Sequence, residues 1–255
     1  MARINPMSRD GLLSQLEKSA LVLDAFPGGS ALTLAQVCTR TGLARSTVHR
    51  LLVDLATLGW IGRSGNTFEL GIGLFELGER VAVKHRLRTA AMPFMQDLYA
   101  VTGQTVHLAV RNRFDAVYIE KLSGHIPLPL PSQIGGRLPL TCTAVGKALL
   151  ASETAELRIE VLAQPLRRYT VNSITDPKKL ARELDDICRT GVAVEREESA
   201  LGGCCVAVPV LLDGQPIAAL SVSVPTEQFR PELLAPAVRT GALALGRVLA
   251  RAAAP

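Results

Sequence analysis

The sequence predicts an α+β protein in two unlike parts. A helical N-terminal third ends in a small hairpin, and a longer remainder sets helices against an antiparallel sheet. Three observations carry this prediction. Apolar residues recur at helical spacing through the first 58 positions. From Thr105 onward, alternating β-branched segments alternate with helical ones. Hydrophobic residues make up 48% of 255 and charged residues 20%, enough to bury a core and too apolar for a disordered chain. That length suits one large domain or two ordinary ones.

The first part reads as three helices and a hairpin. Residues 12–26 place Leu12, Leu16, Leu23 and Phe26 near helical spacing, and Pro27-Gly28-Gly29 stops them. Thr33 and Gln36 form a capping-box pair, which opens a short helix closed by Gly42. After a tight turn, a third helix begins at Arg45, with Val48, Leu51, Leu52, Leu55 and Leu58 as its apolar stripe. Residues 60–63 and 67–70 flank Ser64-Gly65-Asn66 and read as a hairpin with a glycine turn. This layout is a winged helix-turn-helix.

The residue chemistry agrees with DNA binding. A recognition helix enters the major groove by its N-terminus, so arginines and short hydrogen-bonding side chains belong on its first turns. Arg45, Ser46, Thr47, His49 and Arg50 occupy that place, and Arg63 and Asn66 sit near the wing tip. Arginines suit phosphates or guanine edges, and the hydroxyls suit phosphates or bases. A three-helix packing unit with a polar cap is the other reading. Turn, stripe, polar face and wing together favour DNA, and the charge permits it: residues 1–89 hold 11 Lys+Arg against 7 Asp+Glu, most of the net +5 of the whole chain. Arg80, Lys84, Arg86 and Arg88 crowd the end of this segment, where a solvated helix face is the other reading.

Leu70, Leu74, Leu77, Val81 and Ala82 continue a heptad-like stripe to about Arg88, which predicts a connecting helix able to pair two subunits. A further helix is expected over 90–99. Residues 105–110 and 116–122 then read as an antiparallel pair, with 128–130 as an extension. Helices are expected over 143–151, 153–162 and 178–190. Strands are expected over 192–194, 205–211 and 217–224, the last two joined at Asp213-Gly214, before a final helix over 232–251.

Several function classes fall away. The sequence has no uncharged apolar run of 18 residues, so no membrane span is expected. The first 20 residues lack the apolar stretch of a secretion signal. Five cysteines without a C-x-x-C pair suggest reduced thiols in a cytoplasm. The four histidines show no metal-ligand spacing, so neither a metal nor a cofactor is expected. No histidine or acid pattern accompanies Cys204 or Cys205, so an enzyme is not expected either.

Taken in order, the segments TLAQVCTRTGLARSTVHRLLVDLATLGWI, LGIGLFELG, TGQTVHLAV, GGRLPLTCTAVGKALLA, TDPKKLARELDDICRTGVAVEREESALGGCCVAVPV and AALSVSVP are specific. The chain resembles the IclR family of bacterial transcriptional regulators over nearly its whole length. The resemblance implies a winged helix-turn-helix over 1–72, a linker helix over 73–89 and a GAF-like effector-binding domain over 90–255. It also implies dimers, sometimes tetramers, that bind operator DNA and answer to a small organic-acid or aromatic effector.

The best pocket candidate from the residues themselves is the turn from Thr141 into Ala144-Val145-Gly146-Lys147. Open amides at a helix start suit a carboxylate, and an ordinary capped helix is the alternative. The family pattern implies a cavity lined by Ala144, Val145, Glu195, Cys205, Ser221 and Ser223. Ser221 and Ser223 lie two apart on a strand and share a face. They either serve one ligand together or are satisfied within the sheet. An ionised Glu195 would repel a carboxylate and welcome a hydroxyl or amine. The other regulatory reading is a redox trigger at Cys204 and Cys205.

Overall fold

The computed structural model describes residues 13–26 and 28–253. The chain divides into two compact units, residues 1–85 and 86–255.

The first unit opens with α1 (Gln15–Asp24), whose N-cap Ser14 makes a full capping box with Glu17. Its buried contact is Val22, with Phe26 just beyond, while Leu16 is 79% exposed. Of the predicted stripe, Phe26 is buried and Leu23 packs against the same core, while Leu16 faces outward; Leu12 and Pro27 lie outside the described residues. A two-residue strand β1 (Leu32–Thr33) leads into α2 (Leu34–Thr41). The Thr33–Gln36 capping box is present, and Gly42 ends the helix in the left-handed region at φ 70°. The third helix, α3 (Arg45–Thr57), buries Val48, Leu51, Leu52 and Leu55. Leu58 is its C-cap and lies 60% exposed, because the helix stops before that position can turn inward.

The wing is β2 (Ile61–Ser64) and β3 (Thr67–Leu70), antiparallel about Gly65. β1 pairs with β3 and makes a three-stranded sheet. Two residues are too few for a periodic signal, so the sequence reading lacked this strand. The connector α4 (Ile72–Glu79) starts against the wing. The Gly71 amide donates to the Trp60 carbonyl at 2.7 Å, and a Cβ on Gly71 would stand 2.2 Å from the Gly59 carbonyl oxygen.

The predicted single linker helix over 73–89 is two helices. α4 ends at Glu79 with Arg80 as its C-cap, and α5 (Ala82–Thr102) runs through the expected boundary at 89/90 without interruption. The apolar stripe continues across the break, so periodicity alone does not reveal it. The Ala82 and Lys84 side chains lie outside the described residues.

The second unit is built on a six-stranded antiparallel sheet. Its strands are β4 (Thr105–Asn112), β5 (Asp115–Leu122), β6 (Arg137–Pro139), β7 (Ala193–Arg196), β8 (Gly203–Leu212) and β9 (Gln215–Pro225). Their order is β6-β5-β4-β9-β8-β7. β6 replaces the extension expected over 128–130, which is irregular and holds Pro127, Pro129 and Pro131 nearby. Asp213 and Gly214, both at positive φ, close the β8–β9 hairpin as expected.

Strand alternation sorts the sheet into two faces. One face carries Val106, Leu108, Cys204, Val206, Val208, Leu220 and Val222. It packs on Leu87, Met95 and Leu98 of α5 and on Val238, Ala242 and Leu245 of α9 (Pro231–Ala253). The other face lies under α6 (Ala144–Ala151) and α8 (Pro177–Thr190), with α7 (Ala155–Leu162) between them in sequence. This is the expected α+β fold.

Candidate functional site

The second face of the sheet carries a row of polar side chains where apolar ones would ordinarily pack. The strand register places Thr105 opposite Ser223, Ser223 opposite Cys205 and Cys205 opposite Glu195. The next row begins with His107 opposite Ser221 and then becomes alanine, at Ala207 and Ala193. Small residues here leave room that α6 does not fill. A small cavity of about 20 Å³ results, lined by His107, Tyr118, Ala144, Glu195, Ser221 and Ser223, among others. Leu130, Pro131 and Ser132 of the segment between β5 and β6 also line it.

The start of α6 forms one end of this cavity. The N-cap is Thr143, whose hydroxyl accepts from the Gly146 amide at 3.1 Å. The amides of Ala144 and Val145 have no intrahelical acceptor, as at any helix start. Gly146 is needed for the close approach. A Cβ there would lie 2.5 Å from the Leu140 backbone and 2.6 Å from the Thr143 hydroxyl.

Glu195 supplies the acidic wall. It is 1% exposed. Its Oε1 accepts from the backbone amides of Glu198 and Ser199. Its Oε2 is buried without a partner. Loss of water pushes the carboxyl up to about 7 despite those two amide donors. The carboxylate of Glu198 and the ammonium of Lys147 lie behind it. Lys147 is fully buried and paired with Glu183 and, at 2.6 Å, with Glu198. The nearest full positive charge is thus already neutralised by two carboxylates.

His107 joins the cavity to its cover. Its Nε2 is 2.8 Å from the Ser132 hydroxyl, and its Nδ1 is 3.5 and 3.4 Å from those of Ser221 and Ser223. Burial, with the charge of Lys121 nearby, depresses the imidazole to about 3, so it is neutral at pH 7. The Tyr118 ring meets it edge-on, 5.2 Å between centroids.

In the first unit, Arg45, Ser46, His49, Arg50, Arg63 and Asn66 are exposed and Thr47 is half-buried. Arg45 and His49 are four apart on α3, as are Ser46 and Arg50, so two adjacent rows face away from the core. The N-cap Ala44 offers no side-chain hydrogen bond, so the first amides of α3 remain open to an anion. Arg50 donates to the Gln15 side chain at 3.2 Å. Arg63 donates to the Gly65 carbonyl at 3.1 Å and stands over the Phe68 ring.

Comparison with known proteins decides what these features belong to. Residues 15–65 match the IclR helix-turn-helix domain, and residues 79–247 match the bacterial transcriptional regulator IclR C-terminal domain. The chain belongs to the IclR family. It is therefore a DNA-binding transcriptional regulator of the IclR type, with a winged helix-turn-helix followed by a GAF-like domain. The regulator KdgR of Dickeya chrysanthemi is 34% identical over 212 residues, covering 82% of this chain and 70% of that protein. The regulator XynR of Escherichia coli is 32% identical over 246 residues, covering 93% and 98%. An IclR homolog from Microbacterium hydrocarbonoxydans, solved in complex with 4-hydroxybenzoate, superposes with a TM-score of 0.84. It is 30% identical and covers 94% of this chain and all of that one. The Thermotoga maritima IclR gives a TM-score of 0.73 at 29% identity, covering 92% and 98%.

Within this IclR-family fold, all six residues of the expected effector set line the same cavity. The helix expected to follow the turn from Thr141 begins at Ala144, with Thr143 as its cap. His107, Tyr118, Leu130, Ser132 and Thr143 line the cavity as well and were not expected. His107 was legible in principle, since it alternates with Leu108 on a strand with one buried apolar face. Ser132 was not, because an irregular segment has no period. Cys204 and Cys205 point to opposite faces of β8: Cys204 into the α5–α9 core and Cys205 into the cavity. Burial raises both thiols, so they are held as thiols rather than thiolates. Bridging them would require β8 to unpair.

Proposed function

We propose that this IclR-type regulator binds operator DNA as a dimer in the cytoplasm, controlled by a small carboxylic or aromatic effector held in the second unit. The observation that carries this reading is the polar cavity on the sheet. It combines open amides at the α6 start with buried hydroxyls and the unpartnered oxygen of Glu195. A buried polar atom without a partner is costly unless something fills the space. Arg45, Ser46, Thr47, His49 and Arg50 are the groove-facing set, and Arg63 and Asn66 the wing contacts.

The dimer contact assigned here is α4, with no buried residue of its own and Ile72, Phe75 and Leu77 exposed. A second copy of the same helix would cover that face. An effector that favours one arrangement of the effector domains would alter the spacing of the two recognition helices through α4 and α5. Half-sites about one turn (~34 Å) apart are sensitive to that spacing. Coupling of roughly 1–3 kcal/mol changes operator affinity about 5–150-fold.

The test is a thermal-shift screen against small organic acids, 4-hydroxybenzoate included, because a solved relative holds it. An acid at ~100 times its dissociation constant should stabilise the effector unit by roughly 2.7 kcal/mol. The same acid should change operator affinity. An acid that binds without altering operator affinity would sink the coupling; a screen with no hit would sink the effector class.

A further inference from the structure

The hydrogen-bond chain behind the cavity has a direction that its chemistry determines. Lys121 lies on β5, outside the cavity lining, and its ammonium reaches the Ser132 carbonyl at 2.8 Å and the Ser132 hydroxyl oxygen at 3.2 Å. An ammonium only donates. The Ser132 oxygen is thus an acceptor toward Lys121, and its own hydrogen needs an acceptor. Ser132 is 6% exposed, so water does not supply one. The imidazole Nε2 of His107, 2.8 Å away, is the acceptor in place. A neutral imidazole that accepts at Nε2 carries its proton on Nδ1. That N–H points at the oxygens of Ser221 and Ser223, at 3.5 and 3.4 Å. Ser223 also shares a short 2.9 Å contact with the Cys205 sulfur. Both oxygens face that N–H as acceptors; Ser223 has Cys205 as a further partner, so the Ser221 hydrogen is the one left for whatever occupies the cavity.

We propose that Lys121, through Ser132, fixes His107 as the Nδ1–H tautomer and so turns the Ser221 hydroxyl outward as a donor to an effector oxyanion. Lys121 and Ser132 are positioning residues here, since neither needs to touch the effector. The donor set facing the ligand is then the Ser221 hydroxyl with the Ala144 and Val145 amides. Such a set selects a carboxylate. Opposite it, Glu195 Oε2 only accepts when ionised, which favours a second, hydrogen-donating group on the same ligand. This inference rests on the effector reading above and adds the source of its selectivity.

The experiment is ¹⁵N NMR of the full-length protein labelled at histidine, with His107 assigned by loss of its signals in His107→Gln. The two ring nitrogens of a neutral imidazole differ widely in shift, so the tautomer is read directly. The wild type should show the proton on Nδ1. Lys121→Met and Ser132→Ala should move the population toward Nε2–H, a change that a merely structural role would not produce. If 4-hydroxybenzoate binds the wild type, both variants should weaken it about tenfold, the order expected for a hydrogen bond to a charged group. A wild-type proton on Nε2, or a tautomer unmoved in both variants, would overturn the proposal. Binding by no acid, with the Nδ1–H tautomer present and sensitive to Lys121, would leave the chain of hydrogen bonds standing and overturn the effector class instead. Two variants are used so that poor folding of one still leaves a reading from the other.

Discussion

Replacing Lys147 with Met should destabilise the effector unit by about 3–5 kcal/mol. Lys147 is fully buried and neutralises Glu183 and Glu198 together. Methionine fills much of the space of the aliphatic stem, so a cavity contributes little. Loss of the ammonium dominates. The Glu183 side chain is 30% exposed and can turn to water. Glu198 cannot: its side chain is 8% exposed and its Oε2 already lacks a partner. One carboxylate is left buried and uncompensated. Burial already pushes Glu198 above its ordinary value, and without Lys147 it would protonate more readily still. The loss should therefore shrink as pH falls. Lys147→Met with Glu198→Gln should recover most of the stability, because a neutral amide has no charge to strand.

The assay uses the placement of the aromatics. Trp60, the sole tryptophan, lies in the first unit, and the three tyrosines Tyr99, Tyr118 and Tyr169 all lie in the second. Urea unfolding followed by tyrosine near-ultraviolet CD should shift, while the Trp60 fluorescence transition stays in place. A loss under ~1 kcal/mol, well below the range for a broken buried pair, would refute the reasoning. So would failure of the Glu198→Gln rescue.

Four further outcomes are expected. Gly146→Ala should cost at least ~1–3 kcal/mol by overpacking, since its Cβ would strike the Leu140 backbone and the Thr143 cap; an unchanged melting temperature of the effector unit would contradict this. Alanine at both Arg45 and Arg50 should abolish specific operator binding in a gel-shift titration while far-UV CD stays native, and unchanged affinity would displace α3 from the groove. Between pH 4.5 and about 7 the folded chain holds a proton on Glu195 that the unfolded chain has lost. That contribution therefore falls as pH rises, by up to about 3 kcal/mol, and Glu195→Gln should remove this slope in urea titrations across the window. Ile72→Asp with Phe75→Asp should shift the oligomer toward monomer in sedimentation velocity, and an unaltered distribution would place the dimer contact elsewhere.

Local rules were enough wherever one segment decides its own state. The Thr33–Gln36 capping box, the left-handed Gly42 and the Asp213-Gly214 hairpin follow from short-range sterics and hydrogen bonding, and they stand where the sequence placed them. The ordered family segments carried the fold and the six cavity residues on the same basis, because register-bearing motifs keep their spacing. Tertiary structure alone decided the rest. The break between α4 and α5 leaves no mark in a stripe that continues across it. β1 exists only because β3 offers an edge to pair with. Ser132 reaches His107 across 25 positions through an irregular segment, and Lys147 finds Glu198 across 51. Whether a buried lysine is satisfied depends on groups that folding alone brings within 3 Å, and whether a histidine is neutral depends on the burial that folding imposes. A linear pattern reports which residues share a face, and it cannot report what the opposite layer places against them.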